Sequence, residues 1–509
     1  MSGRSMAHKS GARIAAVNAA SIATLSAVLV CGCDLAPIYD PPHLLLPDSY
    51  PGIAPFQVAH PDAELSARGD WWVLFGDPKL NELEAQLERA NPALEAAAEA
   101  YVQARDLAAK AQSGLYPQIG LEGGASDNKQ SAHRLFRGGG GPSEQASNEI
   151  LGAATWEPDF WGAIRNGARA HKRLAQASAA DLAAARLSLE AALANDYAAL
   201  RGLDVEIEVL RRSIVSYEQA VEVTQLRSDG QIASGLDLAR ALSQLSSARA
   251  QKIDAGLKRD LMEHAIAVLV GAVPSRFSIV PVQGLTLAVP EIPAGLPSEL
   301  LQRRPDIAGA ERRMAAANAA IGVSRAAFYP NITLSGAAGF QDNAFNLLSL
   351  PNSLWSVGAG AMLPLFEGGL RRAELQRSWS YYAQTRDDYR ATVLAAFQDV
   401  EDGMSLTQLL AIEVAEQRQA SEQAGEALAI STLLYRDGLD NYLSVSIAQV
   451  QALAAELVEV QLRVRQVQGS ISLLRALGGG WSVQGLPSEN TVVQSVLLAP
   501  RGGAERSLQ

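Results

Sequence analysis

Apolar residues recur every three or four positions over two long proline-free stretches, which run from 159 to 273 and from 365 to 486. This spacing places the apolar side chains on one face of a helix and is typical of a coiled-coil seam. The seam breaks once in each stretch, at Ser228-Asp229-Gly230 and at Arg436-Asp437-Gly438. The pattern therefore predicts two helical hairpins, with tips near residues 229 and 438.

Shorter stretches alternate between apolar and polar or small residues, which is the period of a β-strand. They predict strands at about residues 117–127 and 150–161, and again at about 331–341 and 354–366, with a polar loop inside each pair. Tyr116-Pro117 and Tyr329-Pro330 precede the first strand of each pair. Because proline cannot continue a helix, each dipeptide marks a junction where a helix passes into a strand.

The two halves of the chain repeat each other. Pro305 follows Pro92 by 213 positions (305 − 92), and Tyr329 follows Tyr116 by the same 213 (329 − 116). An offset shared by a helix start and a helix end indicates an internal duplication. We expect a first repeat at 71–273, a linker at 274–298, a second repeat at 299–486 and a flexible tail at 487–509.

The length of the predicted helices indicates the shape of the molecule. A helix from Gly162 to Arg227 would span roughly 100 Å, at about 1.5 Å per residue. Two shorter helices, Pro92 to Leu115 and Leu236 to Val270, together have about this length, so they can stack end to end beside it. The arrangement predicts a rod, because no compact globular domain needs such a helix.

The N-terminus has the pattern of a secretory signal peptide over residues 1–32, in which Arg4, Lys9 and Arg13 precede an apolar run at 14–30. Both cysteines of the chain follow, in Cys31-Gly32-Cys33. The segment fits a lipobox, in which Cys33 becomes the first mature residue and carries a diacylglycerol and an N-acyl chain. The alternative is that both cysteines are merely small residues at a cleavage site. Prolines then recur in 33–70, which predicts an extended, lipidated tether.

Composition and motifs argue against several classes of protein. The 509 residues carry a formal net charge of −11, which disfavours nucleic acid as a partner. The six histidines show no spacing suited to a metal, so no metal site is predicted. No Gly-x-Ser-x-Gly motif is present. We therefore expect no catalytic residues, no enzyme activity and no cofactor apart from the lipid on Cys33.

The four predicted strands fit a membrane β-barrel. A length of about ten residues spans a bilayer, and many small residues are typical of lipid-facing strands. Four strands cannot close a barrel, and open strand edges are not tolerated in lipid. Several chains must therefore share one barrel, and three chains would supply about twelve strands.

Four segments resemble the TolC-like outer membrane factor family, in its NodT-type lipoprotein branch. They are RRPDIAGAERRMAAANAAIGVSRAAFYPNITLSG at 303–336, GCDLAPIYDPP at 32–42, WWVLFGDPKLNELEAQLERANPAL at 71–94 and LFEGG at 365–369. The resemblance implies an α+β fold and a homotrimeric channel. Its 12-stranded β-barrel, with four strands per chain, would lie in the outer membrane of a Gram-negative bacterium and contact its lipids. A long α-helical barrel would continue into the periplasm.

The resemblance also implies a function and partners. The channel would be the passive exit duct of a tripartite efflux pump, completed by a periplasmic adaptor protein and an inner membrane transporter of the RND type. Two alternatives stay open, namely the outer membrane duct of a type I protein secretion system and a coiled-coil structural lipoprotein without a pore.

The hairpin tips hold the candidate working residues, because the resemblance places the periplasmic aperture there. By position these are Asp437, Asp440 and Arg436 on one hairpin, with Asp229 and Arg227 on the other. Three copies of a carboxylate around a narrow axis would repel one another and attract cations. The alternative is that Asp and Gly simply form a turn whose charges are solvated.

The tip glycines, Gly230 and Gly438, are separated by 208 positions (438 − 230) and are candidates for contact with the adaptor. Their simpler role is to permit the turn. Two residues depart from the family pattern. Pro158 lies at the predicted end of a strand, where it would bend the strand early. Asp34 follows the candidate lipid-bearing cysteine, and in some bacteria an aspartate there favours retention at the inner membrane.

Overall fold

The computed structural model of the chain describes residues 33–42, 70–129, 131, 144–290, 292, 300–344 and 346–497. The predicted signal peptide and most of the predicted tether lie outside these ranges. The first half contains α1 Pro78–Ala90, α2 Pro92–Ser113, β1 Gln118–Lys129, β2 Glu144–Trp156, α3 Ala163–Asp229 and α4 Gly235–Leu269. The second half contains α5 Leu300–Arg303, α6 Pro305–Ala326, β3 Asn331–Asp342, β4 Ser353–Met362, α7 Leu370–Arg436, α8 Tyr442–Ala476 and α9 Glu489–Leu497.

The helices of the two halves match in length, which confirms the duplication. The long helices α3 and α7 have 67 residues each, and their hairpin partners α4 and α8 have 35 each. The helices that lead into the strands, α2 and α6, have 22 residues each. At about 1.5 Å per residue, each long helix extends for roughly 100 Å.

The shorter helices stack end to end, as their lengths predict. Gly271 just beyond α4 has a φ of 70°, and Gly478 just beyond α8 has a φ of 94°. A Cβ atom on either glycine would collide with the main chain that precedes the next helix, at Ala90 and at Arg303 respectively. Glycine therefore permits the close approach by which α4 meets α2 and α8 meets α6.

The strands form one antiparallel sheet in the order β1-β2-β3-β4. β2 and β3 pair across the duplication, with Ala153 opposite Ala337. Within the described residues, β1 and β4 each pair along one edge only. Large apolar side chains on these outer strands are exposed in the single chain, among them Leu121 at 77% and Val357 at 82%.

Two strand boundaries differ from the prediction. β2 occupies Glu144–Trp156 rather than 150–161, and β4 ends at Met362 rather than near 366. Pro158 and Pro364 lie just beyond the two strand ends. Because proline has no N–H to donate to a ladder, the pairing stops before it.

The main hydrophobic core lies where the short helices and the linker pack against the middle of α3. Leu80, Leu83 and Leu87 on one face of α1 are almost fully buried, as their spacing predicts. They pack with the tryptophans and phenylalanine of the 3₁₀-helix Trp71–Phe75 and with Tyr197 of α3. Residues of α7 and α8 complete the core, so both repeats contribute to it.

The prediction of a flexible tail at 487–509 is wrong for residues 489–497, because these residues form α9. Val492 and Val493 are buried against Ala108 of α2 and Ala175 of α3. Arg173 forms an ion pair with Glu489 at 2.6 Å. Apolar burial together with this contact holds the helix on the rod. The residues after 497 lie outside the described part of the chain.

One helix of the described part, α8, is long and apolar enough to cross a membrane by length and composition alone. Some of its apolar residues are buried within the single chain, whereas others such as Ile447 are exposed. Val467, Ile471 and Leu474 pack in the main core. α8 is therefore the second helix of a packed hairpin.

Candidate functional site

The level at which helices become strands carries aromatic side chains. Trp161, before α3, stacks on Tyr329 with ring centroids 4.6 Å apart, and its Nε1 donates to the main-chain oxygen of Pro330 at 2.8 Å. Tyr116 and Phe366 are also exposed in the single chain. Tryptophan and tyrosine at the ends of apolar strands are typical of the interface between a membrane and water.

The first turn of each long helix carries an arginine that contacts the segment between the preceding strand and that helix. Arg165 in the first turn of α3 contacts Asp159 at 3.1 Å. Arg371 in the first turn of α7 contacts Glu367 at 2.7 Å and also donates to the main-chain oxygen of Pro364. The structure thus gives both arginines the same task at the two junctions.

The hairpin tips lie at the other ends of the long helices. Arg227, near the end of α3, donates to the main-chain oxygen of Arg436 at 3.0 Å. Its guanidinium also lies over the ring of Tyr435, 4.5 Å from the centroid. These contacts join the two hairpins of one chain, so the structure brings together two of the five predicted aperture residues.

The three carboxylates at the tips do not form one cluster within the chain. Asp229 accepts a hydrogen bond from Gln225 of its own helix at 2.8 Å. Asp440 accepts from the main-chain nitrogen of Asn441 at 2.7 Å. Asp437 is exposed and forms no ion pair with another described residue. Their charges remain available to the surroundings of the tip.

The two tips differ by one residue from the alignment that the sequence indicates. Gly438 has a φ of 78°, in the left-handed region, but Gly230 has a φ of −76°. Gln231 takes the left-handed position of the first tip, with a φ of 60°. The main-chain nitrogen of Ile232 donates to the oxygen of Arg227, and the main-chain nitrogen of Leu439 donates to the oxygen of Leu434. The residue before each donor is therefore equivalent in the two turns, so Gln231 and not Gly230 corresponds to Gly438. The idea that Gly230 is needed to permit the turn is therefore wrong.

Sequence reasoning missed the tyrosines of the tip. Tyr435 and Tyr442 meet edge to face with centroids 5.5 Å apart, and both are buried. Thr224 of the other hairpin lies within hydrogen-bond distance of the Tyr435 hydroxyl, at 3.3 Å. Burial, and then the neighbouring Tyr435, raise the pKa of Tyr442 to about 12. The available signal was a tyrosine on each side of the Arg436–Asn441 turn.

Cys33, the candidate lipidation site, lies at the strand–helix junction. Its side chain is exposed, and its main-chain nitrogen donates to the oxygen of Phe160 at 2.9 Å. An N-acylated residue keeps one N–H, so this hydrogen bond is compatible with lipidation. Among the described residues, no group of three or more His, Cys, Asp or Glu side chains is placed to hold a metal ion.

The described residues thus combine a four-stranded sheet, in which β1 and β4 each pair along one edge only, with a rod of helical hairpins. A profile of the outer membrane efflux protein family matches residues 83–272 and 296–479, one match for each repeat. The chain belongs to this family, and it is an outer membrane component of an efflux system. Family and fold are those of channel proteins rather than enzymes.

Curated relatives extend over nearly the whole chain. The pyoverdine export outer membrane protein OpmQ of Pseudomonas aeruginosa is 32% identical over 414 residues, covering 81% of this chain and 87% of the relative. The toluene efflux pump outer membrane protein TtgF of Pseudomonas putida is 30% identical over 482 residues, covering 91% and 98% respectively.

Solved structures share the fold. The outer-membrane channel OprN superposes with a TM-score of 0.81 at 26% identity, over 88% of this chain and 100% of that chain. The outer membrane protein VceC of Vibrio cholerae gives a TM-score of 0.76 at 27% identity, over 81% and 99% respectively. The fold is therefore that of TolC-like outer membrane channels.

Proposed function

We propose that three copies of this chain form the exit duct of a tripartite efflux pump, which passively conducts substrate across the outer membrane. The observation that carries the proposal is the sheet, in which β1 and β4 each leave one edge unpaired within the described part of the chain. Unpaired edges are not tolerated in lipid, and a closed ring of three sheets would remove all of them. The resulting barrel would have about twelve strands, a number within the bacterial range.

The exposed faces of the rod support assembly with further copies. Ile253 and Leu257 of α4 are 74% and 57% exposed in the single chain, and Leu409 of α7 is 62% exposed. Apolar residues at helical spacing on an open helix face need a covering surface. A second copy can supply it, because the exposed faces of α4 and α7 lie on different hairpins of each chain.

Membership of the efflux protein family supports two further partners. An inner membrane transporter of the RND type would deliver the substrate, and a periplasmic adaptor would connect the two membranes. The adaptor would contact the hairpin tips beside Gly230 and Gly438. The cargo would be selected by the transporter, since relatives with this fold are named for cargoes as different as pyoverdine and toluene.

The duct would close at its periplasmic end, where Asp437 and Asp440 stand on one tip and Asp229 on the other. Arg227 and Arg436 complete the set and link the two tips. In a trimer each carboxylate would occur three times around the axis, which would restrict the aperture and favour cations. The chain would be held in the outer membrane by its barrel and by acyl chains, palmitate among them, on Cys33.

Planar bilayer recording tests the channel and its aperture together. The purified protein should insert as a pore, and the double variant Asp437→Ala/Asp440→Ala should raise its single-channel conductance. Glu82→Gln, which changes an exposed carboxylate of α1, is the matched control. A preparation that forms no pores would contradict the channel, whereas pores of unchanged conductance would contradict only the aperture.

A second experiment separates efflux from protein secretion. Deletion of the gene should increase the uptake of small toxic compounds into cells without reducing the proteins found in the medium. The opposite result would favour a type I secretion duct. A structural spacer without a pore would leave both unchanged, and its Cys33→Ala variant would be soluble without detergent.

A further inference from the structure

The residues that follow the predicted signal peptide pack against the helices of the rod. Residues 33–39, which we name the N-terminal clip, run between α3 and α6 without regular secondary structure. Along α6, Arg325 donates to the oxygen of Leu35 at 3.1 Å and Asn318 donates to the oxygen of Pro37 at 2.9 Å. Further along the helix, the Tyr39 hydroxyl donates to Glu311 at 2.6 Å. The clip therefore follows α6 away from the strands.

Asp34 fastens the clip to α3. One of its carboxylate oxygens accepts from Nδ2 of Asn166 at 2.9 Å and from the main-chain nitrogen of Ala36 at 3.1 Å. The other accepts from Arg169 at 2.9 Å. Asn166 is fully buried and its own Oδ1 accepts from Arg169 at 2.8 Å, so its amide is fixed in orientation. Partial burial alone would raise the pKa of Asp34. The hydrogen bonds from Asn166, Ala36 and Arg169 outweigh this effect, so the pKa of Asp34 is lowered.

Glycine makes room for the clip at its two closest approaches. A Cβ atom on Gly322 of α6 would lie 2.6 Å from Nδ2 of Asn166 and 2.9 Å from Ala36. A Cβ atom on Gly162 would lie 2.9 Å from the main-chain oxygen of Cys33. Glycine inside a helix is less stable than alanine by about 0.5–1 kcal/mol. The close approach of the clip explains why α6 has glycine at position 322.

The duplication supplies an internal comparison. The positions that correspond to Asn166 and Arg169 in α7, counted from the helix starts, are Ala373 and Gln376. The position that corresponds to Gly322 in α2 is Ala109. In the second copy, alanine therefore replaces Asn166, glutamine replaces Arg169 and alanine replaces Gly322. We name Asn166, Arg169 and Gly322 together the seat of the clip. Of the two repeat-related positions, only the one where the clip lies carries this set of residues.

We propose that Asp34 is a positioning residue that locks the N-terminal clip into its seat and so fixes the lipid-bearing Cys33 at the strand–helix junction. The inference rests on the proposed lipidation of Cys33. Because the clip is held by protein contacts, the acyl chains would enter the membrane at a set place beside Phe160. The anchor would then be part of the folded channel and not the end of a loose tether.

Hydrogen–deuterium exchange of the full-length protein in detergent tests the lock. In Asp34→Ala, peptides covering 33–42 should exchange roughly tenfold faster than in the unmodified sequence, while the mass of the acyl chains on Cys33 stays unchanged. Gly322→Ala should produce the same loss of protection by filling the seat. Asp40→Ala, which removes an exposed carboxylate of the same segment, should change nothing.

The outcomes are separable. Equal exchange in Asp34→Ala, Asp40→Ala and the unmodified sequence would overturn the lock. If Asp34→Ala fails to accumulate, Asn166→Ala examines the same contact from α3, and unchanged protection there would overturn the lock as well. Cys33→Ala should retain a protected clip. Absence of acyl mass from the unmodified sequence would overturn the lipid anchor while leaving the seat itself in place.

Discussion

Arg304 donates a hydrogen bond from its guanidinium to the main-chain oxygen of Ala476 at 3.2 Å, and this contact joins the start of α6 to the end of α8. The corresponding residue of the first repeat is Asn91, whose Nδ2 donates to the oxygen of Leu269 at 2.7 Å. Each donor directly precedes the proline that opens its helix. The two stacked joints are therefore equivalent, although an asparagine serves one and an arginine serves the other.

We expect Arg304→Ala to be destabilising, because Arg304 makes more contacts than Asn91. Its side chain is only 11% exposed and also pairs with Asp306 at 2.7 Å and Asp399 at 3.0 Å. Since the side chain of Asp399 is 43% exposed, the loss should be about 2 kcal/mol in the free energy of unfolding, measured by chemical denaturation with circular dichroism. Arg304→Lys should recover only part, because lysine lacks the planar fork.

Two further variants calibrate that result. Asn91→Ala should cost about 1 kcal/mol, since it removes a helix cap and one joint contact. Arg372→Ala, on the exposed start of α7, should cost almost nothing. An Arg304→Ala protein as stable as Arg372→Ala would show that the second joint does not depend on this side chain.

The tip glycines provide a matched pair of substitutions. Gly438→Ala should weaken its tip by about 1 kcal/mol, because its φ of 78° disfavours a side chain. Gly230→Ala should be neutral, since its φ is −76°. Gln231→Gly should strengthen the first tip by relieving the left-handed strain. Hydrogen exchange of the tip peptides measures all three, and equal effects of the two alanine variants would contradict the assignment.

Local patterns in the sequence were sufficient to predict the long helices, the existence of the four strands and the duplication. Heptad-like spacing gave α3 and α7, and the repeated Tyr-Pro dipeptide gave the two junctions. The correspondence of the tips was wrong by one residue because a glycine in the sequence does not show whether its φ is positive. The start of β2 and the formation of α9 were also missed, since both depend on pairing or packing with distant residues.

The candidate site was predictable to a smaller extent. Arg227 and Arg436 could be chosen by position, but their link through Tyr435 joins residues about two hundred positions apart. The seat of the N-terminal clip has the same character, because Asp34, Asn166 and Gly322 meet only in the fold. Such clusters have no local period, so single-sequence patterns cannot indicate them.

Glu84 of α1 should make the stability of the helical core dependent on pH. It is fully buried, and neither carboxylate oxygen has a hydrogen-bond partner among the described residues. Burial, followed by the nearby Glu190, raises its pKa from 4.5 to about 9. The folded state therefore holds more protons than the unfolded state within that window. The contribution of Glu84 to stability should be fully present below pH 4.5 and should be lost as the pH rises towards about 9.

Glu84→Gln removes this titration. Between pH 5 and pH 9, the unfolding free energy of the variant should therefore change by at least about 1 kcal/mol less than that of the unmodified protein. Glu82→Gln, on the exposed side of α1, should keep the original slope. Denaturant midpoints at three pH values measure the difference. Parallel curves for the two variants would show that Glu84 is ionised in the folded protein.

Arg227→Ala should loosen the contact between the two hairpin tips, since it removes both the bond to Arg436 and the stacking on Tyr435. The two contacts together should contribute about 1–2 kcal/mol, so the tip peptides should exchange hydrogen roughly tenfold faster. If the tips close the duct, single-channel conductance should rise as well. Arg211→Ala, which removes an exposed guanidinium that pairs with Glu208 on its own helix, should leave exchange and conductance unchanged. Faster exchange without higher conductance would place the aperture away from Arg227, and no change in either quantity would contradict the link itself.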